Sequence, residues 1–183
     1  MIVATGRRRN QTNIQMQANA EVIEIIDLID PRFKHEFEDE RTARYISVGG
    51  LLENQLLICG GWDAISNDHF QDCIFLGQQT YGSTSTNLQM LEERIEAASV
   101  VLNQKILWIT GGYLKNSTEF ISLADQQSAV IGPDLPFSGI FGHKMLQVDS
   151  KTIYIIGGNQ GLNHLPTSLM ANPFPDIERV SSF

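Results

Sequence analysis

The chain has 183 residues, 42% of them hydrophobic and 19% charged, which fits one globular domain with a buried core. Its 21 acidic and 13 basic residues give a net charge of −8, which argues against a nucleic-acid partner because phosphate binding needs a broad basic face. No apolar stretch approaches the roughly 18 residues of a membrane span, so we expect no membrane partner.

Short apolar runs that end in glycine recur along the chain. In order they are IVATG at 2–6, LLICGG at 56–61, LWITGG at 107–112 and IYIIGG at 153–158. Gly6 and Gly60 are 54 residues apart, Gly60 and Gly111 are 51 apart, and Gly111 and Gly157 are 46 apart. Each run favours a β-strand, and self-similarity at about 50 residues indicates repeated units.

A glycine pair after a strand permits positive φ and lets another backbone approach closely. We therefore predict a structural role for all three pairs. They are Gly60 and Gly61, Gly111 and Gly112, and Gly157 and Gly158.

Further strands are predicted around each run. In the first unit a polar loop at 7–19 separates strands at 2–6 and 20–28, and a third strand follows at 32–37. The second unit has predicted strands at 43–50, 56–59 and 71–76, with a turn at 53–54, and 78–88 is predicted as an outer strand or a loop. The third has strands at 94–102, 105–110, 118–123 and 128–131. The fourth has strands at 141–148, 152–156, 167–171 and near 177–180.

These strands divide a single domain, 1–183, into units at about 1–37, 43–88, 94–131 and 140–180. Counting back from the glycine pairs superimposes 47–49, 98–100 and 144–146 as the first strands of the last three units. Small residues in two of these copies suit strands that converge on a central axis.

Four strands per unit, a glycine pair after the second strand and a period near fifty residues resemble the kelch repeat family. The resemblance implies an all-β fold, a β-propeller of about four four-stranded antiparallel blades with the first blade incomplete. Kelch rings usually have more blades, so we expect a fragment of a larger ring. A closed four-bladed ring, with 179–183 supplying the missing strand, stays open. The tryptophan common in kelch repeats is missing at its usual place.

The two cysteines, Cys59 and Cys73, are too few for a disulfide framework or a structural zinc site. They could face each other across a hairpin, so a disulfide stays possible. We favour two buried free thiols. A cytoplasmic location is favoured and an extracellular one stays open.

The leading functional hypothesis is a non-catalytic protein-interaction module, because a propeller presents loops from a rigid scaffold. By the resemblance, one side carries the loops at 7–19, 62–69, 113–117 and 159–164, together with those at 38–42, 92–94 and 136–141. Aromatic and arginine residues are the usual anchors of interfaces. The candidate partner-binding residues are Arg7, Arg8, Arg9, Trp62, Tyr113 and His164. Trp62 could equally pack between neighbouring units.

The alternative is a metal-binding or enzymatic propeller that uses His69, His143 and His164 on one side. We expect no catalytic residues, no metal and no cofactor. No G-x-S-x-G turn or phosphate-binding glycine loop is present.

Overall fold

Antiparallel β-sheets make up the described part of the chain. The structure, a computed structural model, describes residues 2–5, 22–26, 34–38, 44, 46–63, 66–76, 83–123, 129–136, 139–160, 163–164, 168–171 and 181–182. These residues contain strands and turns but no helix, and hence no helix long and apolar enough to cross a membrane. The predicted all-β class is confirmed.

The strands are short and follow the predicted runs closely. The first eleven are β1 (Ile2–Thr5), β2 (Val22–Ile26), β3 (Lys34–Glu38), β4 (Val48–Leu52), β5 (Gln55–Cys59), β6 (Asp72–Leu76), β7 (Ser83–Gln89), β8 (Ala98–Leu102), β9 (Ile106–Thr110), β10 (Thr118–Ser122) and β11 (Val130–Ile131). The others are β12 (Ile140–Phe141), β13 (Lys144–Gln147), β14 (Ile153–Ile156), β15 (Asn159–Gln160), β16 (Asn163–His164), β17 (Ser168–Ala171) and β18 (Ser181–Ser182).

Four sheets follow one another along the chain, each connected as a meander. The first sheet has the order β1-β2-β3, the second β4-β5-β6-β7, the third β8-β9-β10-β11 and the fourth β13-β14-β17-β18. β15 and β16, which lie in the connection between β14 and β17, form a small sheet with β12 in the order β12-β15-β16. The first strands β4, β8 and β13 lie side by side. Three strands of the first sheet lie among the described residues, and the incompleteness of the first unit stays a prediction.

All six glycines of the pairs have positive φ, as their sequence context predicts. In the third sheet, the Gly111 amide donates to the Ser117 carbonyl of the same sheet, at 3.1 Å. The Gly112 amide donates to the Ile140 carbonyl, which precedes the fourth sheet, at 2.8 Å. A side chain at Gly111 would lie 2.5 Å from that carbonyl oxygen. Glycine is therefore required for both the backbone angle and the close approach.

The second sheet repeats these bonds. The Gly60 amide donates to the Asp72 carbonyl of its own sheet, at 3.1 Å. The Gly61 amide donates to the Arg94 carbonyl, before the third sheet, also at 3.1 Å. The first two glycine pairs thus connect their sheets to the next one along the chain.

The core lies between consecutive sheets. Alternate residues of a strand point to opposite faces of its sheet. In β9, Leu107 and Ile109 pack toward the second sheet with Leu57 and Cys59. Trp108 packs on the other face with Ile153 and Ile155 of the fourth sheet. The third sheet is therefore buried on both faces.

One predicted alignment of the first strands is wrong by one residue. The structure pairs Val48 with Cys59, Ala98 with Thr110 and Lys144 with Ile156. Val48, and not Ser47, is therefore equivalent to Ala98. The cause is the length of the turn, which has two residues between β4 and β5 but three between β8 and β9. Because side chains alternate, a shift of one residue exchanges the two faces of a strand.

Three predicted strands have clearly different bounds. The strand predicted at 43–50 spans Val48–Leu52. The strand predicted at 94–102 begins at Ala98, so Arg94 lies in the connection before it. The strand predicted at 141–148 is interrupted after Phe141, since Gly142 has φ of 66°. Its two parts, β12 and β13, pair in different sheets. The residues at 159–164, predicted as a loop, contain the short strands β15 and β16.

The end of the chain does not complete the first sheet. Ser181 and Ser182 pair with Met170 and Leu169 of β17, in the fourth sheet. The prediction that 179–183 supply the missing strand of the first sheet is therefore wrong for 181–182, the part of this segment that the structure describes. The fourth sheet also extends beyond the boundary predicted at residue 180.

Cys59 and Cys73 are joined by a disulfide bond, so the favoured prediction of free thiols is wrong. The two residues are directly opposite each other on β5 and β6, with Cα atoms 4.1 Å apart. Both are buried in the core between the second and third sheets. The hairpin that the sequence suggested has brought them together.

Candidate functional site

A buried arginine organises the loops that follow β9. Arg94 donates to the Gly111 carbonyl at 2.6 Å and to the carbonyl and side-chain oxygens of Ser117 at 3.0 and 2.9 Å. Its Nε donates to the carboxylate of Glu119, and both side chains are almost fully buried. The guanidinium thus fixes the start of the loop at 113–117 to its end.

The second sheet has an equivalent arginine. Arg44 donates to the Gly60 carbonyl at 3.3 Å, and to the carbonyl and carboxylate of Asp72 at 3.0 and 2.6 Å. Its guanidinium carbon also lies 4.4 Å from the centroid of the Phe70 ring. We call these two sets of bonds the Arg44 clamp and the Arg94 clamp. Both hold loops on the same side of the sheets, where the glycine pairs end their strands.

An open cleft of about 380 Å³ lies between these two sets of loops. We call it the loop cleft. It is lined by His69, Gln71, Leu91, Glu92, Glu93, Ile95, Tyr113 and Lys115. Three loops that the sequence placed on one side, at 62–69, 92–94 and 113–117, therefore meet at one depression.

One wall of the loop cleft is a network of charges. The Glu92 carboxylate accepts hydrogen bonds from Lys115 Nζ and, at 2.8 Å, from Ser117 Oγ. Arg94 NH2 lies 3.9 Å from the same carboxylate. The hydrogen bond from Lys115, followed by that from Ser117, lowers the pKa of Glu92 below its ordinary value, against the opposing effect of burial. Glu92 is therefore an ionised, structurally engaged group.

Glu93 has a different position. Its side chain is 52% exposed, and Oε2 lies 3.6 Å from His69 Nδ1, a separation longer than an ordinary hydrogen bond. Glu93 therefore presents a carboxylate to the cleft that the described surroundings leave largely available.

The other wall is apolar and partly exposed. Tyr113 is 51% exposed and Leu91 is 41% exposed, while Ile95 lies half-buried between them and the core. The Tyr113 ring contacts Phe141 edge-on at a centroid distance of 5.4 Å, and its amide donates to the Ile95 carbonyl. The aromatic ring is thus held in place with much of its surface facing solvent.

The structure separates the predicted site residues. Tyr113 lines the loop cleft. Trp62 instead belongs to its own loop, where it bridges to His69 and its Nε1 donates to Asn67 at 3.3 Å. Two predicted groups lie beyond what is described. Arg7, Arg8 and Arg9 are outside the described residues, and for His164 only the backbone pairing with Asn159 is described.

The histidines proposed as an alternative metal site have dissimilar surroundings. His143 is buried, and its Nε2 lies 2.7 Å from Thr110 Oγ. Burial, and secondly the nearby Lys144, lowers the pKa of His143 to about 4. His69 is exposed at the loop cleft. Among the described side chains no group of three or more histidine, cysteine or acidic residues is placed to hold a metal.

Sequence reasoning missed several residues of this region. Arg44 lies 16 residues before Gly60, and Arg94 lies 17 before Gly111. These two nearly equal spacings were a detectable signal for the two clamps. Glu93 and Lys115 carried no such signal, because they were two charges among many in connections.

A scan against models of known protein families finds none that matches this chain, and a search of curated proteins finds no match either.

Proposed function

We propose that the chain is a non-catalytic protein-interaction module, a kelch-type β-propeller or part of one, whose loop cleft receives a protein partner. The loop cleft itself is the observation that carries this proposal. It combines a half-exposed aromatic ring, apolar neighbours and an available carboxylate, which are the components of an interface anchor surrounded by a polar rim.

The packing of the sheets supports the propeller arrangement. Ser99 on β8 donates to the Gly49 carbonyl of β4 at 3.0 Å and accepts from the Gly49 amide at 3.2 Å. The first strands of consecutive sheets are therefore in contact through a glycine and a serine, which suits blades that converge on an axis. The bonds of Gly61 and Gly112 to the following sheet repeat from unit to unit.

Rigidity supports the assignment of binding to this side. Both clamps hold the loops through several hydrogen bonds to buried or half-buried groups. A loop held in its bound shape loses less conformational entropy when a partner arrives. The loop cleft is therefore suited to recognise a partner without reorganising.

Selection of displayed random peptides on the full chain tests the proposal. We expect peptides whose affinity falls by at least about tenfold in Tyr113→Ala. The matched control is Val148→Ala. Val148 is 57% exposed and lies at the opposite end of its sheet, so this variant should bind like the wild type. If no peptide is enriched, or if Tyr113→Ala binds as well as the wild type, the proposal fails.

A further inference from the structure

We propose that the loop cleft takes an arginine side chain of its partner, with the guanidinium paired to Glu93 and packed against the ring of Tyr113. This inference rests on the proposed function and names the chemistry of the partner. It follows from the charges of the cleft, from its apolar wall and from the geometry that each imposes.

The charges of the loop cleft leave one carboxylate available. Lys115 and Glu92 are bonded to each other, so their charges offset one another. Glu93 remains, because His69 is its only described ion partner and lies 3.6 Å away. With histidine counted as neutral, the described residues that line the cleft carry two carboxylates and one ammonium group, a net charge of −1 at pH 7. A cationic group is therefore the complementary occupant.

The apolar wall favours arginine over lysine. Tyr113 leaves about half of its surface exposed, and a guanidinium stacks on such a ring while it donates to a carboxylate with its planar fork. The exposed Leu91 offers a surface for the methylene stem of the same side chain. An ammonium group is more strongly hydrated and has no plane to stack, so it would use this wall less well.

An acidic occupant is disfavoured for the same reasons. Lys115, the one ammonium group among the described residues that line the loop cleft, is already bonded to Glu92, and Glu93 would repel a second carboxylate. The chain as a whole carries a net charge of −8, which also favours the approach of a cationic segment. The site and the long-range field therefore select the same sign of charge.

The experiment uses four peptide libraries that differ only in one fixed central residue: arginine, citrulline, lysine or glutamate. Citrulline has the shape of arginine without its charge. The full chain is immobilised and the bound fraction of each library is measured at low ionic strength. We expect the arginine library to be retained at least about tenfold more than the citrulline library, and this ratio to fall as salt screens the exposed pair.

Two carboxylate variants identify the group responsible. Glu93→Gln should remove the preference for arginine over citrulline. Glu53→Gln is the matched control, because the Glu53 side chain is also 52% exposed and pairs loosely with Lys105 at 4.0 Å, but it lies on the turn at the opposite end of the second sheet. This variant should keep the full preference.

The outcomes separate this inference from the proposed function. Equal retention of the arginine and citrulline libraries, with binding still lost in Tyr113→Ala, would overturn the arginine assignment and leave the interaction module standing. A preference for arginine that survives in Glu93→Gln would also overturn it. Retention that is unaffected by Tyr113→Ala, or absent altogether, would overturn both proposals.

Discussion

In the second and third sheets an equivalent arginine binds the carbonyl of the first glycine of the pair. The two sheets differ in the pair of side chains that lies opposite each other beside this arginine. The Arg44 and Arg94 clamps bind equivalent carbonyls, those of Gly60 and Gly111. Beside them, the second sheet has the disulfide of Cys59 and Cys73. The equivalent pair in the third sheet is Thr110 and Thr118, whose hydroxyls bond outward.

The difference shows which part of the repeat is constant. Thr110 contacts His143, which directly precedes β13 of the fourth sheet, and Thr118 donates to the Pro133 carbonyl at 2.7 Å. The disulfide connects only two strands of one sheet, whereas the threonines connect the third sheet to its surroundings. The arginine thus recurs in both sheets, while the pair of side chains beside it differs according to the groups that surround each sheet.

The largest expected effect contrasts the two clamps. Arg94 and Glu119 are both buried, so Arg94→Ala leaves an uncompensated carboxylate in the core and should reduce the free energy of unfolding by about 3–5 kcal/mol. Arg44 pairs with Asp72, whose side chain is 43% exposed and can be hydrated. Arg44→Ala should therefore lose only about 2 kcal/mol. Urea unfolding midpoints of both variants measure the difference.

The matched control for this contrast removes both charges together. Arg94→Met combined with Glu119→Leu should recover much of the stability, because well-packed apolar residues can replace a buried ion pair. Equal losses in Arg94→Ala and Arg44→Ala would show that burial of the partner carboxylate does not set the difference between the sheets.

The second prediction compares glycines of the third and fourth sheets. Gly111 and Gly157 have nearly the same φ, 60° and 66°, so a side chain adds a similar strain of about 1 kcal/mol at each. At Gly111 the new Cβ would also lie 2.5 Å from the Ile140 carbonyl oxygen and 2.9 Å from the His143 ring. At Gly157 no described atom lies within 4 Å.

Gly111→Ala should therefore cost about 3 kcal/mol and Gly157→Ala about 1 kcal/mol. Thermal unfolding followed by circular dichroism measures both. If the two substitutions lower the melting temperature equally, backbone angle alone explains the glycine pairs and the close approach of the next sheet contributes nothing.

The second strands of the last three sheets could be read from the sequence because the apolar run of each one ends at a glycine pair. The turn at Glu53 and Asn54 was also readable, and both residues have positive φ, as a tight hairpin requires. The alignment of β4 with β8 was not readable, since the turn after β8 has one residue more than the turn after β4. The break at Gly142 was not readable, because apolar residues occur both before it and, after His143 and Lys144, beyond it.

The site was only partly predictable for a similar reason. Tyr113 and His69 could be placed on one side because the loops follow equivalent strands. The different roles of Glu92 and Glu93 could not be predicted, because the sequence does not show which of two neighbouring carboxylates Lys115 reaches. Which carboxylate pairs with Lys115 depends on the directions of the side chains, and these cannot be read from the sequence of an irregular connection.

The third prediction concerns the disulfide of the second sheet, which is replaced by the threonine pair found at the equivalent positions of the third sheet. The cysteines are 14 residues apart, and closing a loop of about 15 residues contributes about 3 kcal/mol. Because threonine suits strand positions, Cys59→Thr with Cys73→Thr should lose about 2–3 kcal/mol. The urea midpoint of the wild-type protein measured in the presence of a reductant should equal that of the double variant measured without it. A reductant that leaves the wild-type midpoint unchanged would contradict the prediction.

The smallest effect concerns pH and belongs to the contact between the third and fourth sheets. His143 Nε2 bonds Thr110 Oγ, whose hydroxyl also lies 3.1 Å from Met145 Sδ, while Nδ1 has no partner among the described residues. Burial lowers the pKa of His143 from 6.5 to about 4. Between these values the unfolded chain binds a proton that the folded chain does not, so stability is full above about pH 6.5 and falls as the pH decreases. At pH 5 the loss should be about 2 kcal/mol.

Urea midpoints across this range should therefore fall more steeply for the wild type than for His143→Gln, which keeps a polar group beside Thr110 but does not titrate. If the urea midpoints of the two proteins fall equally with decreasing pH, the acid sensitivity arises from other groups and the prediction for His143 is wrong.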